Sequence, residues 1–354
     1  MSGEAPGFIL QGMNPFLDST DVQDNGPELL KRMERDGYLF VRELLPADVL
    51  EDLRLRLLEI AAEGGWVDTT APIADAIADR AGFCVEPTPE YNEVYRLMYS
   101  LPQLHAIQHR PELLQLVERM CGEAIFPHPR VIGRTLFPQR EEFTTPPHQD
   151  FVPIQGCSDT YSAWFPLHDL PVELGGLAVS AGSHRRGVLE FRPSLGAGGL
   201  EVTDPLEGTW ANSPFSQGDV LFFHSMCVHK GLPNVGRALR MSADGRYQRM
   251  SDPVHEASLQ PHIRPVAWET FYDGWPAEFD HLRYYWKDWE LKLSEYDYSY
   301  HEERDRLAFA MAETGDERAR STLQRIVARD RDPAKRARAT EMLEQLGEAT
   351  PEGR

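Results

Sequence analysis

No stretch of this 354-residue chain approaches the run of about 18 apolar residues that a membrane helix needs, and its opening, MSGEAPGFILQGMNPF, has neither the basic start nor the apolar core of a secretion signal. A cytoplasmic protein is the expectation. Cysteine is scarce as well. Cys84, Cys121, Cys157 and Cys227 are widely spaced and form no CxxC pair, which argues against a disulfide framework, a zinc finger or an iron–sulfur cluster and reads as four reduced thiols. Basic charge is also in short supply: 36 Lys and Arg stand against 56 Asp and Glu, for a formal net charge of −20. A field of that sign repels phosphate polyanions, so neither nucleic acid nor an anionic membrane is an expected partner. It weakly favours a neutral or cationic small-molecule substrate. Long-period repeats and low-complexity tracts are missing too.

What is present is a globular composition, 41% hydrophobic and 26% charged, in a chain long enough to bury a full core. Residues 1–26 are rich in Gly, Pro and Asp and read as an irregular segment, with Phe8, Ile9, Phe16 and Leu17 able to pin it to a surface. PELLKRMER, from Pro27 to Arg35, has Pro at a helix start and is stopped by Gly37 before the strand-like YLFVREL. Apolar residues then recur at helical steps from Val49 to Ala62, and PELLQLVERMCG repeats the pattern further on. From Ile125 to Arg249 the texture changes to short β-branched and aromatic runs: RVIGRTLF, DTYSAWFPL, GLAVS, DVLFFHS and ALRMSADGRYQ. Such strands, without crossover helices between them, indicate an antiparallel sandwich or barrel within residues 27–265. Residues 266–354 form an extension. Its first part, from Trp268 to Trp289, is an aromatic cluster expected to fill the space between the barrel and the terminal helices, and two helices are expected over His301–Ala328 and Pro333–Leu346.

The chemistry is concentrated in two segments. In PPHQDFVPIQG, His148 and Asp150 stand two apart, a spacing that on an extended backbone puts both side chains on one face. With a later histidine they make two imidazoles and a carboxylate on one side of an octahedron, leaving three positions for a bidentate co-substrate and dioxygen. That geometry suits iron(II). The second segment, GDVLFFHSMCVHKGLPNVGRALRMS, supplies two candidates for the later histidine, His224 and His229. It also supplies Arg240, eleven residues beyond His229, whose guanidinium can take the far end of a dicarboxylate in a two-pronged bond, with Arg237 and Arg246 as rivals.

HQD, AWFPLHDL, ELGGLAVSAGSHRRG and GDVLFFHSMCVHKGLPN, in this order, resemble the phytanoyl-CoA dioxygenase family of iron(II)- and 2-oxoglutarate-dependent oxygenases over roughly Gly37 to Tyr247. The resemblance implies a mainly β fold with flanking helices, a double-stranded β-helix of the jelly-roll, cupin-like kind. It implies His148, Asp150 and His229 as iron ligands, Arg240 as the 2-oxoglutarate arginine and Trp164 as an aromatic of the co-substrate pocket. Arg134, on the same sheet, is a further candidate for that pocket, with a solvated strand charge as its plainer reading. The family often has Gly-Ser after the distal histidine where this chain has Lys230 and Gly231. The reaction implied is hydroxylation of an unactivated C–H bond of a small metabolite, consuming dioxygen and releasing succinate and carbon dioxide. Related halogenases replace the carboxylate that is Asp150 here, so its presence argues for hydroxylation, desaturation or cyclisation. A metal-dependent isomerase or lyase would have no need of Arg240. Monomer and homodimer are both compatible with the charged terminal helices.

Overall fold

Asn25 caps the first helix, α1 (Gly26–Asp36), by accepting from the Glu28 amide, and Gly37 ends it at φ 78°. That left-handed residue turns the chain directly into β1 (Tyr38–Val41). Helix α2 (Ala47–Glu63) and three shorter helices, α3 (Pro89–Tyr99), α4 (Pro102–Ala106) and α5 (Pro111–Cys121), complete the N-terminal layer, and two short helices, α6 (Phe151–Ile154) and α7 (Trp268–Tyr272), come later in the chain. In this computed structural model the described residues are 12–348, apart from 87, 139–143, 195–199, 264–265, 296, 298, 317–318 and 331. Phe8 and Ile9 therefore lie outside the described residues, whereas Phe16 is buried between Tyr38, Phe40 and Phe215.

Ten more strands make up the barrel among the described residues: β2 (Ile125–Pro127), β3 (Ile132–Leu136), β4 (Tyr161–Pro166), β5 (Leu177–Ser180), β6 (Phe191–Pro193), β7 (Leu200–Val202), β8 (Trp210–Ala211), β9 (Val220–His224), β10 (His229–Gly231) and β11 (Arg240–Arg249). The larger sheet runs β1-β9-β4-β11-β2, with β3 also on β11, and the smaller runs β10-β5-β8. All of these pairs are antiparallel. From β4 onward the chain passes back and forth between the two sheets, which is the double-stranded β-helix, a jelly-roll arrangement of two facing sheets.

Strand alternation explains both cores. Tyr38, Phe40, Trp164, Leu221 and Phe223 point between the sheets, where they meet Val179, Ala211 and Phe215. Their neighbours Leu39, Val41, Ala163, Phe165, Val220 and Phe222 point outward and are covered by α1–α5. Because both faces are covered, these strands read as continuous apolar runs rather than as alternating ones. The longest strand differs: Met241, Ala243 and Tyr247 of β11 join the outer core, while Arg240, Ser242, Asp244 and Arg246 alternate with them and are buried on the other face.

The C-terminal extension departs from expectation in two ways. The helix expected over His301–Ala328 is two helices, α8 (Ser299–Glu313) and α9 (Arg320–Arg329), because Gly315 at φ 74° turns the chain between them. A third, α10 (Pro333–Glu348), packs with them around Phe309, Leu323 and Ile326 in a core of their own. The aromatic cluster does not fill the space beside these helices. It packs on the N-terminal layer and the edge of the larger sheet, with Phe271 against Tyr99 at 4.7 Å, Trp275 against His105 at 5.1 Å and Trp289 against Phe126 at 5.5 Å between ring centroids. Half-buried and buried rings find their hydrogen-bond partners there, as when the Trp275 indole donates to Ser100 O at 2.7 Å.

Candidate metal centre

The backbone joins the two histidines before any ligand does. His148 and His229 form an isolated antiparallel bridge, each amide donating to the other's carbonyl at 3.0 Å, and their rings lie 4.1 Å apart. Asp150 reaches them by a different route from the one its spacing suggests. The chain leaves extended geometry after His148, and Asp150, at φ −67° and ψ −26°, begins the short helix Phe151–Ile154, α6. The Phe151 amide donates to Ser225 O at 3.0 Å and fixes that turn. Its carboxylate Oδ1 comes 3.8 Å from His148 Nε2 and 3.9 Å from His229 Nε2. One ligand atom from each of the three residues lies within 4.8 Å of the others, the one such group among the described residues. His224 is not part of it: its ring faces Asp159 at 3.3 Å and accepts from the Met226 amide.

Each donor is oriented from behind. His148 Nδ1 donates to Pro146 O at 2.8 Å and His229 Nδ1 to Cys227 O at 3.0 Å, which leaves the lone pair on Nε2 of both rings. Burial pushes His148 down to about 3, and burial likewise lowers His229, so both imidazoles are neutral at physiological pH, the form that can bind a metal. Asp150 Oδ2 accepts from Ser162 Oγ at 2.7 Å and from Arg246 Nη2 at 3.2 Å, leaving Oδ1 for the histidine side. Burial alone would raise its carboxyl, but Arg246, the two histidines and the Ser162 hydroxyl hold it well below the usual carboxylate range. Gln149, between the two ligands, points away. Its amide donates to Gly187 O and Met226 O and accepts from the Leu189 amide, tying the segment to the neighbouring loops. Two imidazoles and one carboxylate on one side of a centre are a donor set that can hold iron(II).

Arg240 sits on the same inward face of β11, 3% exposed. Its Nη1 donates to Ser242 Oγ at 3.1 Å, its guanidinium lies 5.7 Å from the Trp164 ring, and its buried Nε has no acceptor. Burial, with the like charge of Arg134, brings it down to about 10. Ion pairs engage the other inward arginines. Arg246 serves Asp150, and Arg134 is no solvated charge but binds Glu86 at 2.6 Å, with Asp244 at 4.0 Å. Arg237 is exposed outside the strand. Arg240, Arg134, Glu86, Tyr91 and Thr145 line one small cavity, and Thr145 stands three residues before His148. Ser162, Asp244 and Glu86 were not anticipated. The signal for Ser162 and Arg246 is the β4–β11 register, which pairs them directly across the sheet.

The description phytanoyl-CoA dioxygenase belongs to the family model that matches residues 33–242. Among curated proteins, 1-deoxypentalenic acid 11-beta-hydroxylase of Streptomyces exfoliatus is 27% identical over 268 residues, covering 70% of this chain and 90% of that one. Phytanoyl-CoA dioxygenase domain-containing protein 1 of Mus musculus is 24% identical over 253 residues, 59% of this chain and 84% of that one. A solved structure, the non-heme alpha ketoglutarate dependent carbocyclase from nogalamycin biosynthesis, aligns at 21% identity with a TM-score of 0.44, over 68% of this chain and 89% of that one. With more than half of its length matched by that model and the ligand-bearing segments inside the match, the chain belongs to the phytanoyl-CoA dioxygenase family.

Proposed function

We propose that this chain is an iron(II)- and 2-oxoglutarate-dependent oxygenase that hydroxylates an unactivated C–H bond of a small metabolite. His148, Asp150 and His229 hold the iron, and Arg240 takes the distal carboxylate of 2-oxoglutarate. The observation that carries this reading is Arg240 itself: a guanidinium nine-tenths and more buried, with an orphaned Nε and, among the described residues, no carboxylate bonded to it. An unpaired buried cation is costly by several kcal/mol, and a dicarboxylate offsets that cost with a charge-assisted fork. Ser242, bonded to Arg240, supplies a hydroxyl there and Thr145 lines the same cavity, in a chain that lacks the serine the family often has after the distal histidine.

Iron(II) with 2-oxoglutarate would supply the oxidation, turning dioxygen and the keto acid into succinate and carbon dioxide as the substrate gains its hydroxyl. The protein's part is orientation and exclusion of water. Pro146 O and Cys227 O fix both imidazole tautomers, Ser162 and Arg246 hold Asp150 by one oxygen, and Trp164 packs over the Arg240 guanidinium. Asp150 fills the position a halide would need, which disfavours halogenation, and a 27% identical relative is named a hydroxylase, which favours hydroxylation over desaturation and cyclisation. Four free cysteines suit a reducing cytoplasm. No helix among the described residues is long and apolar enough to cross a membrane. The test is succinate release from 2-oxoglutarate in the presence of iron(II) and dioxygen. Wild type should form succinate, with substrate or slowly without it, and His229→Ala should form none. Iron-bound wild type that forms no succinate under any condition would overturn the reading.

A further inference from the structure

The loop that carries the chain from His229 to Arg240 also walls a cavity of about 780 Å3. Gly236 and Arg237 form one side of it. The other side is the segment 76–80, which runs antiparallel to the loop, with the Ala78 amide donating to Arg237 O at 3.0 Å and the Leu239 amide to Ala76 O at 2.8 Å. Phe137, one residue beyond the Leu136 that pairs with Arg240 across the sheet, lines both this cavity and the small one at Arg240. The large cavity is therefore one ring away from the place a dicarboxylate would occupy. A volume of this size suits a drug-sized ligand.

Two kinds of surface meet there. Phe83 is 43% exposed, a large fraction for a phenylalanine, and its ring stands edge-on to Phe137 at 5.8 Å; Ile77, Ala78 and Pro138 continue the apolar wall. At the rim stand Arg80 and Arg237, both exposed, in a chain whose net charge is −20. Asp68 and Asp79 also line the rim, each with its Oδ1 engaged locally. Asp68 takes the Thr70 amide at 2.9 Å and its hydroxyl at 2.6 Å, and Asp79 takes the Ala81 amide at 2.9 Å. Asp68 feels the charge of Arg237, yet among the described residues neither guanidinium has a hydrogen-bonded acceptor.

We propose that this cavity is a ligand site beside the co-substrate end of the oxygenase reading above, a placement that rests on that reading, and that it takes a molecule with an apolar body and a single carboxylate. The headgroup meets Arg80 and Arg237 at the rim, and the body lies along Phe83 and Phe137. Global charge sets the far field, but the groups within hydrogen-bond reach decide what binds. The same two aspartates repel a dianion, which selects a carboxylate over a phosphate monoester.

The test is calorimetric titration of the full chain with decanoate, decanamide and decyl phosphate, with iron(II) and 2-oxoglutarate present under anaerobic conditions and again without them. Decanoate is expected to bind about tenfold more tightly than decanamide, the scale of one charge-assisted bond, and more tightly than decyl phosphate. Arg80→Gln and Arg237→Gln should each reduce that preference and together remove it. Phe83→Ala should weaken decanoate and decanamide alike. Both arginines are exposed, so an unchanged thermal midpoint shows that the variants are folded. Equal affinities, a preference that survives the double substitution, or no decanoate binding up to about 1 mM would overturn the proposal. Should the arginine-dependent preference hold while iron(II) and 2-oxoglutarate give no charge-transfer absorption, the ligand class stands and the oxygenase reading falls. Absorption in every variant without any carboxylate preference would do the reverse.

Discussion

Asp150 divides its two oxygens between two tasks, and the division is enforced by residues more than ten positions away. Oδ2 is taken by Ser162 and Arg246, cross-strand neighbours on β4 and β11, and Oδ1 is left toward His148 and His229. Partners of this kind set ligand orientation and basicity, so Ser162→Ala and Arg246→Gln should each raise the iron(II) dissociation constant about 10- to 100-fold. Competition against a chelator measures it, and unchanged affinity in both variants would show that Asp150 needs no such support. His148, Asp150, His229 and Arg240 were legible in the sequence because their chemistry and spacing are local to two segments. Ser162 was not, because a lone serine in an apolar strand acquires meaning only once the register sets it opposite Arg246. The solvated reading of Arg134 fails for a related reason: its partner Glu86 lies 48 residues away, in a stretch with no regular pattern.

Among the elements, α6 shows how the C-terminal extension bears on the metal centre. Gln155, which ends this short helix, has φ 50° and ψ −155°, a backbone region that side chains avoid. Its side-chain amide donates to Asp297 O at 2.9 Å and accepts from the Asp297 amide at 2.7 Å, so the strand-like segment before α8 holds the turn that begins at Asp150. Removing both bonds costs about 2 kcal/mol, while glycine recovers about 1 kcal/mol of the backbone strain. Gln155→Ala should therefore destabilise by about 2 kcal/mol and Gln155→Gly by about half that. Urea unfolding would show it, and equal losses would mean that the backbone there is not strained. Helices α1, α2, α5 and α10 and the strands β1, β3, β4, β5, β9 and β11 followed from apolar periodicity and turn residues. The short strands β2, β6, β7, β8 and β10 did not, since two or three residues carry no period, and the joined α8–α9 pattern hid a turn at Gly315.

For the whole molecule, buried imidazoles set the response to acid. His105 and His128 are 4% and 1% exposed. Burial pushes them down to about 4 and about 3, although His105 is hydrogen-bonded to Tyr99 O and His128 to Gln248. Both are neutral in the fold and take up protons on unfolding below about pH 6.5. The unfolded chain thus binds more protons from there down to the folded values, and stability must fall as pH falls through that window. Asp244, pushed up to about 6 by burial, works in the opposite direction over part of it. His105 and His128, with His148 and His229 lowered in the same sense, outweigh that carboxyl, and the thermal midpoint should drop by roughly 5 °C between pH 7 and 5. A midpoint that holds or rises would mean that these rings are charged in the fold. The two-sheet topology belongs to this scale as well. It was reached through four ordered motifs rather than through strand pattern, because strands covered on both faces do not say which neighbour they pair with.

Arg240 as the anchor of a dicarboxylate beside a His-Asp-His iron site is the centre of the proposed chemistry. Anaerobic titration of the metal-free protein with iron(II) and then 2-oxoglutarate, followed by visible absorption, tests it most directly. A weak metal-to-ligand charge-transfer band should appear in wild type, need a much higher 2-oxoglutarate concentration in Arg240→Ala, and be absent from His229→Ala. Iron binding without any band in wild type, or a band whose 2-oxoglutarate dependence is the same with and without the Arg240 guanidinium, would contradict it.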